Sequence, residues 1–321
     1  MNDKVSLIIP VYNVEAYIRE SLLSALNQTF EGIEYIIVDD RTTDRSMEVV
    51  RNVIENHPRG KQVYIYHHEQ NKGLSAARNT GIRNSSGKYL FFMDSDDELS
   101  GDCIERHVRA LENSSADFTV ANIEMVGSSS IHIKQIFASL EEKHPFVSFC
   151  ARDWSVSACN KLYKSSFIRD NALQFVEGLI HEDVLWSFAL ARHASKIAAV
   201  NERTYRYKTR DDSITTKPNS RKKIESLLFI LSTMRNQFSC DRKLQKFKDD
   251  FSGLYDFYRF VSALQLLNYQ GDYGQTEKYF REIKSLKYNP NFSIHALALS
   301  LPFRVFKTIL SPVYCIYKKR K

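Results

Sequence analysis

Four short apolar runs separated by amphipathic segments fill the first hundred residues of the chain. The runs cover residues 5–10, 35–38, 63–66 and 89–93. Their length and their β-branched and aromatic content predict strands buried on both faces. Between them, helical spacing predicts helices after Asn13, over Ser46–Glu55 and over 75–84, with Asn13 expected to cap the first. This alternation predicts the α/β class, with a mainly parallel sheet covered by flanking helices.

Carboxylates directly follow two of these predicted strands. Asp39 and Asp40 come after residues 35–38, and Asp94, Asp96 and Asp97 come after residues 89–93. In parallel sheets, ligands bind beyond the carboxyl ends of the strands. Unpaired carboxylates crowded at such an end repel one another and need a cation. Hard oxygen ligands suit Mg²⁺ or Mn²⁺ completed by substrate phosphates, which predicts an enzyme that handles a phosphorylated ligand.

The pattern changes after residue 100. It predicts a helix over 101–113, strands over 118–125 and 131–137, and an irregular stretch over 154–163. A further helix is expected from about His181 to His193, followed by two short strands at 197–200 and 204–207. From residue 217 onward, apolar positions at helical spacing predict a mostly helical region.

Composition and charge narrow the class of protein. The 321 residues are 43% hydrophobic and 26% charged, which predicts a globular protein. The net charge is +7, but residues 301–321 hold six Lys or Arg and no acid, so the other 300 residues carry only +1. The basic character therefore belongs to the tail and does not predict a nucleic-acid-binding body. Five widely spaced cysteines without a CxxC pair favour a reducing cytosol, and neither a signal peptide nor a membrane span is expected.

The C-terminal tail combines apolar, aromatic and basic residues. Residues 296–307 are apolar with growing positive charge, and residues 313–317 precede a run of four basic residues at 318–321. Such a combination predicts binding to the surface of an anionic membrane. The alternative is an ordinary C-terminal helix that packs on the body and has a frayed basic end.

Five sequence segments occur in an order that matches a known family. They are residues 6–13 (SLIIPVYN), 35–40 (YIIVDD), 71–81 (NKGLSAARNTG), 92–97 (FMDSDD) and 181–183 (HED). Together they resemble family 2 glycosyltransferases of the GT-A fold, in the branch that builds bacterial polysaccharides and lipid-linked oligosaccharides. The resemblance covers roughly residues 4–215. It departs from the family at Arg41-Thr42, where Gly-Ser is usual.

The resemblance implies roles for residues that would hold the donor. Pro10, Tyr12 and Asp39 would border the nucleotide base, with Asp39 accepting a hydrogen bond from a uracil ring NH. Arg78 would lie near the nucleotide or its diphosphate. Asp94 would bind the ribose or a metal-bound water. A nucleotide-sugar donor is therefore expected at this edge of the sheet.

The resemblance also implies the groups that carry the reaction. Asp96 would ligate Mn²⁺ or Mg²⁺, and Asp183 would deprotonate the acceptor hydroxyl. Four further residues are candidates for contacts with the donor or the acceptor: Asp97, Glu182, Trp154 and Arg206. For Trp154 a place in the core is an equal alternative to stacking on an acceptor, and for Arg206 so is a solvated basic edge.

The chemistry of sugar transfer agrees with these assignments. Charge grows on the nucleoside diphosphate as the glycosidic bond breaks, and a divalent ion stabilises it. A sugar hydroxyl is a poor nucleophile and gains from a carboxylate base. One base with direct displacement inverts the anomeric carbon, whereas a covalent double displacement would retain its configuration. The expected activity is an inverting hexosyltransferase that moves sugar from a UDP donor to a glycan or lipid-linked glycan acceptor.

This reading divides the chain into three parts. Residues 1–125 and 126–215 would form the nucleotide-sugar-binding and acceptor-binding halves of the GT-A domain, and 216–321 a helical region with a basic amphipathic tail. The protein is expected in the cytoplasm, peripheral on the inner face of the cell membrane, with no nucleic-acid partner. Two alternatives stay open: a non-catalytic sugar-nucleotide-binding scaffold of the same fold, and a sugar nucleotidyltransferase. The latter normally has a glycine-rich basic loop after its first strand, and residues 11–14 (VYNV) offer none.

Overall fold

The computed structural model describes residues 4–127, 138–209, 219–288 and 293–319, with side chains as far as Pro312. The strands are β1 Val5–Val11, β2 Ile33–Asp39, β3 Val63–His67, β4 Tyr89–Phe92, β5 Glu98–Leu99, β6 Phe118–Val126, β7 Leu162–Lys164 and β8 Ile197–Lys208. They form one sheet in the order β3-β2-β1-β4-β7-β6-β8-β5. The predicted strand over 131–137 lies outside the described residues.

Helices flank this sheet and form the C-terminal region. They are α1 Ile18–Leu26, α2 Ser46–Glu55, α3 Leu74–Arg83, α4 Cys103–Glu112, α5 Pro145–Cys150, α6 Ser165–Asp170, α7 Glu182–His193, α8 Arg221–Cys240, α9 Lys248–Gln265, α10 Tyr273–Ser285, α11 Ile294–Ser300 and α12 Phe303–Lys319. The predicted α/β class, with a C-terminal helical region, is confirmed.

The four N-terminal strands run parallel, and their carboxyl ends meet at one edge. β1 lies between β2 and β4, with Val11 opposite Asp39 and Ile8 opposite Phe92. Every residue of β1 and β4 is buried, because helices cover both faces of the sheet. The predicted strand-end acids are therefore brought to a common edge by the pairing register.

Helix α3 packs unusually close to β1. A Cβ atom on Gly81 would lie 2.3 Å from Cγ2 of Ile8, which leaves no room for a side chain. At the other end, Gly73 precedes the helix with φ of 88°, a left-handed conformation that favours glycine. Gly81 thus allows α3 to pack closely on β1, and Gly73 allows the left-handed backbone that precedes the helix.

Two local predictions were wrong. Helix α1 begins at Ile18, and Asn13, at φ 51°, does not cap it: Asn13 Oδ1 accepts hydrogen bonds from the backbone N of Thr43 and from Thr42 Oγ1. The two short strands expected around residues 197–207 are one continuous strand, β8. The polar residues 201–203 do not end it, because they lie exposed on the sheet and the pairing with β6 shifts register at Asn122.

The tail packs on the C-terminal helices through one side. Phe303 and Phe306 of α12 are buried in a cluster with residues of α9 and α10, including Phe280 and Ile283. No helix in the described part of the chain is long and apolar enough to cross a membrane. The alternative of a packed C-terminal helix therefore holds for the first turns of α12.

Candidate active site

Arg78 of α3 joins the end of β4 to the start of α7. Its Nη1 donates to Oε1 of Glu182 and its Nη2 donates to Oδ1 of Asp94, both at 2.8 Å. The Arg78 side chain is only 2% exposed. This bridge connects three separate sequence motifs, and it places Asp183, the residue after Glu182, at the same edge of the sheet as the strand-end acids.

Charges inside this cluster are strongly coupled. Burial opposes the charge of Arg78, but the carboxylates of Asp94 and Glu182 outweigh it and raise the Arg78 pKa well above its ordinary value. Burial and the charge of Asp183 raise the pKa of Glu182 to about 7, although Arg78 acts in the opposite direction. The guanidinium of Arg78 is thus held between these two acids on the buried side of the site.

The acids that follow β4 have different surroundings. Asp97 is 2% exposed, and it accepts hydrogen bonds from Tyr205 Oη at 2.8 Å and from the backbone N of Lys208 at 2.9 Å. Burial, together with the charges of Asp94 and Asp96, raises its pKa to about 8. Asp94 and Asp96 remain partly exposed. Asp97 thus faces β8.

The residues expected around the nucleotide base lie at the ends of β1 and β2. Asp39 accepts a hydrogen bond from the backbone N of Thr42 on Oδ1 and bonds to Nδ1 of His67 through Oδ2, both at 2.9 Å. Pro10 is buried in β1, and the Tyr12 ring is 45% exposed. An exposed aromatic ring and an acceptor are therefore available at neighbouring strand ends.

Arg41 occupies the position where the family usually has glycine. Its φ is 61°, in the left-handed region that glycine adopts at least cost. The turn after β2 therefore keeps a left-handed residue despite the substitution, and the exposed Arg41 side chain leaves the turn toward solvent.

Asp40, predicted as a strand-end acid, is buried beside His68, a residue that none of the sequence motifs includes. Asp40 accepts hydrogen bonds from the backbone N of Lys72 at 2.8 Å and of Gly73 at 2.7 Å. It also bonds to His68 Nδ1 at 2.7 Å, and His68 Nε2 bonds to Thr80 Oγ1 at 2.9 Å. Asp40 thereby anchors the first turn of α3. The second acid of residues 35–40 and the polar turn before α3 were the available signals.

Trp154 and Arg206, two candidates for donor or acceptor contacts, differ in exposure. Trp154 is 4% exposed, donates from Nε1 to Ser148 Oγ at 3.0 Å and packs against Phe118, so it belongs to the core. Arg206 forms ion pairs with Glu124 at 3.0 Å and Glu98 at 3.8 Å on the outer strands. The structure therefore puts Trp154 in the core, whereas the Arg206 side chain is 53% exposed.

The acids at the edge suit a metal that shares its ligands with a substrate. Among the described residues, no group of three or more His, Cys, Asp or Glu is arranged to hold a metal ion by itself. Mg²⁺ is commonly held by one or two carboxylates together with substrate phosphates. Asp94 and Asp96, both partly exposed, provide this limited set.

Comparison with known proteins decides the family. Residues 6–171, more than half of the chain, match the family model described as Glycosyl transferase family 2. The chain belongs to glycosyl transferase family 2. GlyA, a glycosyltransferase of Streptococcus pneumoniae, is 34% identical over 231 residues, which is 67% of this chain and 32% of GlyA. This family 2 chain thus spans about a third of the length of that relative.

Solved structures with the same fold cover nearly all of the chain. Residues 1–349 of TarS from S. aureus, solved with UDP-GlcNAc, superpose with a TM-score of 0.74 at 18% identity, covering 95% of this chain and 88% of that one. The mannosyltransferase PcManGT of Pyrobaculum calidifontis, solved with GDP-Man and Mn²⁺, gives a TM-score of 0.61 at 15% identity, covering 99% and 86%. The GT-A fold expected from the sequence is confirmed.

Proposed function

We propose that this protein is an inverting, metal-dependent hexosyltransferase that moves a sugar from a nucleotide-diphosphate donor to a glycan hydroxyl. The observation that carries the proposal is the buried Arg78 bridge between Asp94 and Glu182. This bridge holds Asp94 and the first turn of α7 together at the edge of the parallel sheet where ligands bind. Family membership supports sugar transfer as the reaction at this edge.

The donor in this proposal is a UDP-sugar. Each oxygen of Asp39 has one hydrogen-bond partner, and a carboxylate oxygen can accept two, so Asp39 keeps capacity for a uracil ring NH. The exposed Tyr12 ring would cover one face of the base. TarS, with UDP-GlcNAc, supports this choice, whereas PcManGT, with GDP-Man, shows that the fold also accommodates guanine.

Asp96 would hold the Mn²⁺ or Mg²⁺ ion, with Asp94 beside it holding the ribose or a water on the metal. When bound, the metal neutralises charge that develops on the departing diphosphate. Arg78 keeps Asp94 in place from the buried side, at 2.8 Å. These residues therefore bind and orient the leaving group without forming a bond to the sugar.

Asp183 is the proposed general base. It lies half-buried in the first turn of α7. There it would take the proton of the acceptor hydroxyl while that oxygen attacks the anomeric carbon. Glu182, held by Arg78, fixes the first turn from which Asp183 projects. Direct attack assisted by one base inverts the anomeric configuration.

The acceptor in this proposal is a lipid-linked glycan at the cytoplasmic face of the cell membrane. The first turns of α12 bury Phe303 and Phe306 but leave Val305 and Ile309 exposed by 41% and 53%. On α11, Leu297 is 52% exposed. The chain has no acidic residue after Glu282, so every Asp, Glu, Lys or Arg position around these apolar side chains is Lys or Arg. Exposed apolar and basic side chains together suit the surface of an anionic membrane.

The proposal is tested by turnover of a panel of nucleotide sugars with Mn²⁺, comparing the wild type with Asp183→Asn. Loss of a general base should lower kcat by about 10²- to 10⁴-fold while donor affinity stays unchanged. The control is Asp170→Asn, an exposed carboxylate at the end of α6. NMR of the product gives the anomeric configuration: retention would refute inversion, and donor binding without turnover would favour the non-catalytic scaffold.

A further inference from the structure

Asn79, the neighbour of Arg78 on α3, pairs with the backbone of a distant residue. Its Oδ1 accepts from the backbone N of Phe175, and its Nδ2 donates to the Phe175 carbonyl, both at 2.9 Å. Nδ2 also bonds to Oε1 of Glu177 at 3.2 Å. Asn79 is 3% exposed. One amide thus satisfies both backbone groups of Phe175, as a neighbouring strand would.

Phe175 lies in the segment 171–181, which leads from α6 into α7. Its ring stacks on Trp186 of α7, with centroids 4.1 Å apart and planes 12° from parallel. The guanidinium of Arg78 lies 5.2 Å from the centroid of the same ring. Phe175 is therefore fixed by α3 on one side and in turn supports the helix that begins with Glu182 and Asp183.

Helix α3 is also anchored beside the pocket that is expected for the nucleotide base. Asp40 accepts from the backbone N of Lys72 and Gly73 just before α3, and Asp40 directly follows Asp39. Close packing at Gly81 fixes the other end of α3 on β1. Helix α3 is therefore fixed at both of its ends, beside the pocket expected for the nucleotide base and against β1.

We propose that Asn79 is a positioning residue for sugar transfer: it holds segment 171–181 so that Asp183 meets the acceptor hydroxyl. The inference rests on the proposed function. The side chain suits this task because an amide is both donor and acceptor, whereas a carboxylate would face the Phe175 carbonyl and Glu177 with only acceptors. Asn79 contacts the segment that leads to Asp183, whereas its neighbour Arg78 contacts Asp94, so donor binding and the position of the general base should respond differently.

The test compares Asn79→Ala with Asn84→Ala. Asn84 follows the last turn of the same helix and bonds only locally, to the carbonyl of Thr80 at 2.8 Å. In Asn79→Ala, kcat for transfer should fall tenfold or more, because small displacements of positioned groups cost on the order of 10²-fold. The Kd for UDP should stay within about twofold, and Asn84→Ala should match the wild type in both measurements.

Hydrogen–deuterium exchange provides a readout that does not need turnover. Exchange in peptides covering 171–183 should rise in Asn79→Ala and stay unchanged in Asn84→Ala. Wild-type transfer, unchanged exchange, or equal losses of kcat and UDP affinity would each overturn the inference. If even the wild type turns over no donor, the proposed function fails, and exchange alone then decides whether Asn79 holds the segment. Should Asn79→Ala not fold, Asn79→Ser replaces it in both measurements.

Discussion

Replacing Arg78 by Met tests whether the buried bridge holds the two halves of the site together. Methionine fills similar space but removes every hydrogen bond and the positive charge. Asp94 and Glu182 would then face each other without a counter-ion, with side-chain exposures of 28% and 10%. Two hydrogen bonds of 2.8 Å would be lost from a side chain that is 2% exposed.

The expected cost follows from the burial of the partners. Removing one member of a buried ion pair typically costs 3–5 kcal/mol, because the remaining charge is left without compensation. Asp94 keeps some contact with water, so we expect a loss of about 3 kcal/mol, at the lower end of that range. Protonation relieves Glu182, whose pKa is already raised to about 7, so the cost should be larger at pH 8 than at pH 5.

Urea unfolding followed by circular dichroism measures these free energies. The Arg78→Met and Glu182→Gln variants and their combination form a double-mutant cycle, in which the pair should couple by about 1–3 kcal/mol. Arg83→Met is the control, since Arg83 is exposed on the same helix and should change stability by less than about 0.5 kcal/mol. If Arg78→Met costs no more than Arg83→Met at pH 8, the bridge does not hold the site.

Three further outcomes are expected. Burial lowers the pKa of His107 to about 4, so the unfolded state binds a proton at this residue first as pH falls. The free energy of unfolding should therefore drop by about 1.4 kcal/mol per pH unit between the unfolded pKa of about 6.5 and pH 4. The free energy of unfolding of His107→Gln should lack this pH-dependent loss. Chelation should abolish sugar transfer by the wild type, Mn²⁺ should restore it, and Asp96→Ala should stay inactive at any Mn²⁺ concentration that restores the wild type. Val305→Ser/Ile309→Ser/Lys307→Gln should sediment at least fivefold less with anionic vesicles, because one basic contact alone contributes about 1 kcal/mol; unchanged sedimentation would contradict a membrane role for α12.

The sequence was most informative where one local property decides the structure. β1, β2 and β4 are mostly apolar and almost wholly buried because both faces of the sheet are covered, so their apolar runs predicted strands within one or two residues. The acids after β2 and β4 followed from the same pattern. Parallel pairing then brings Asp39 next to Val11 at the common edge, as the topology required.

Long-range pairing could not be predicted from the sequence. Asp94, Asp96 and Asp97 all lie in the short segment after β4. Asp97 nevertheless faces Tyr205 of β8, because β8 pairs with β5, the strand that follows these acids. β5 has only two residues and β7 three, too few for any hydrophobic period. The contact of Arg78 with Glu182 joins residues 104 positions apart and depends on how α3 and α7 pack.

The charge balance of the edge explains why donor and metal should bind together. Arg78 binds Asp94 and Glu182, while burial and neighbouring acids raise the pKa of Asp97 to about 8 and that of Glu182 to about 7. A diphosphate would add further negative charge at the same place. Binding it without a cation would therefore be opposed by repulsion from these acids, and a divalent ion held by Asp96 would offset that repulsion. Metal dependence should thus be visible in donor affinity as well as in kcat.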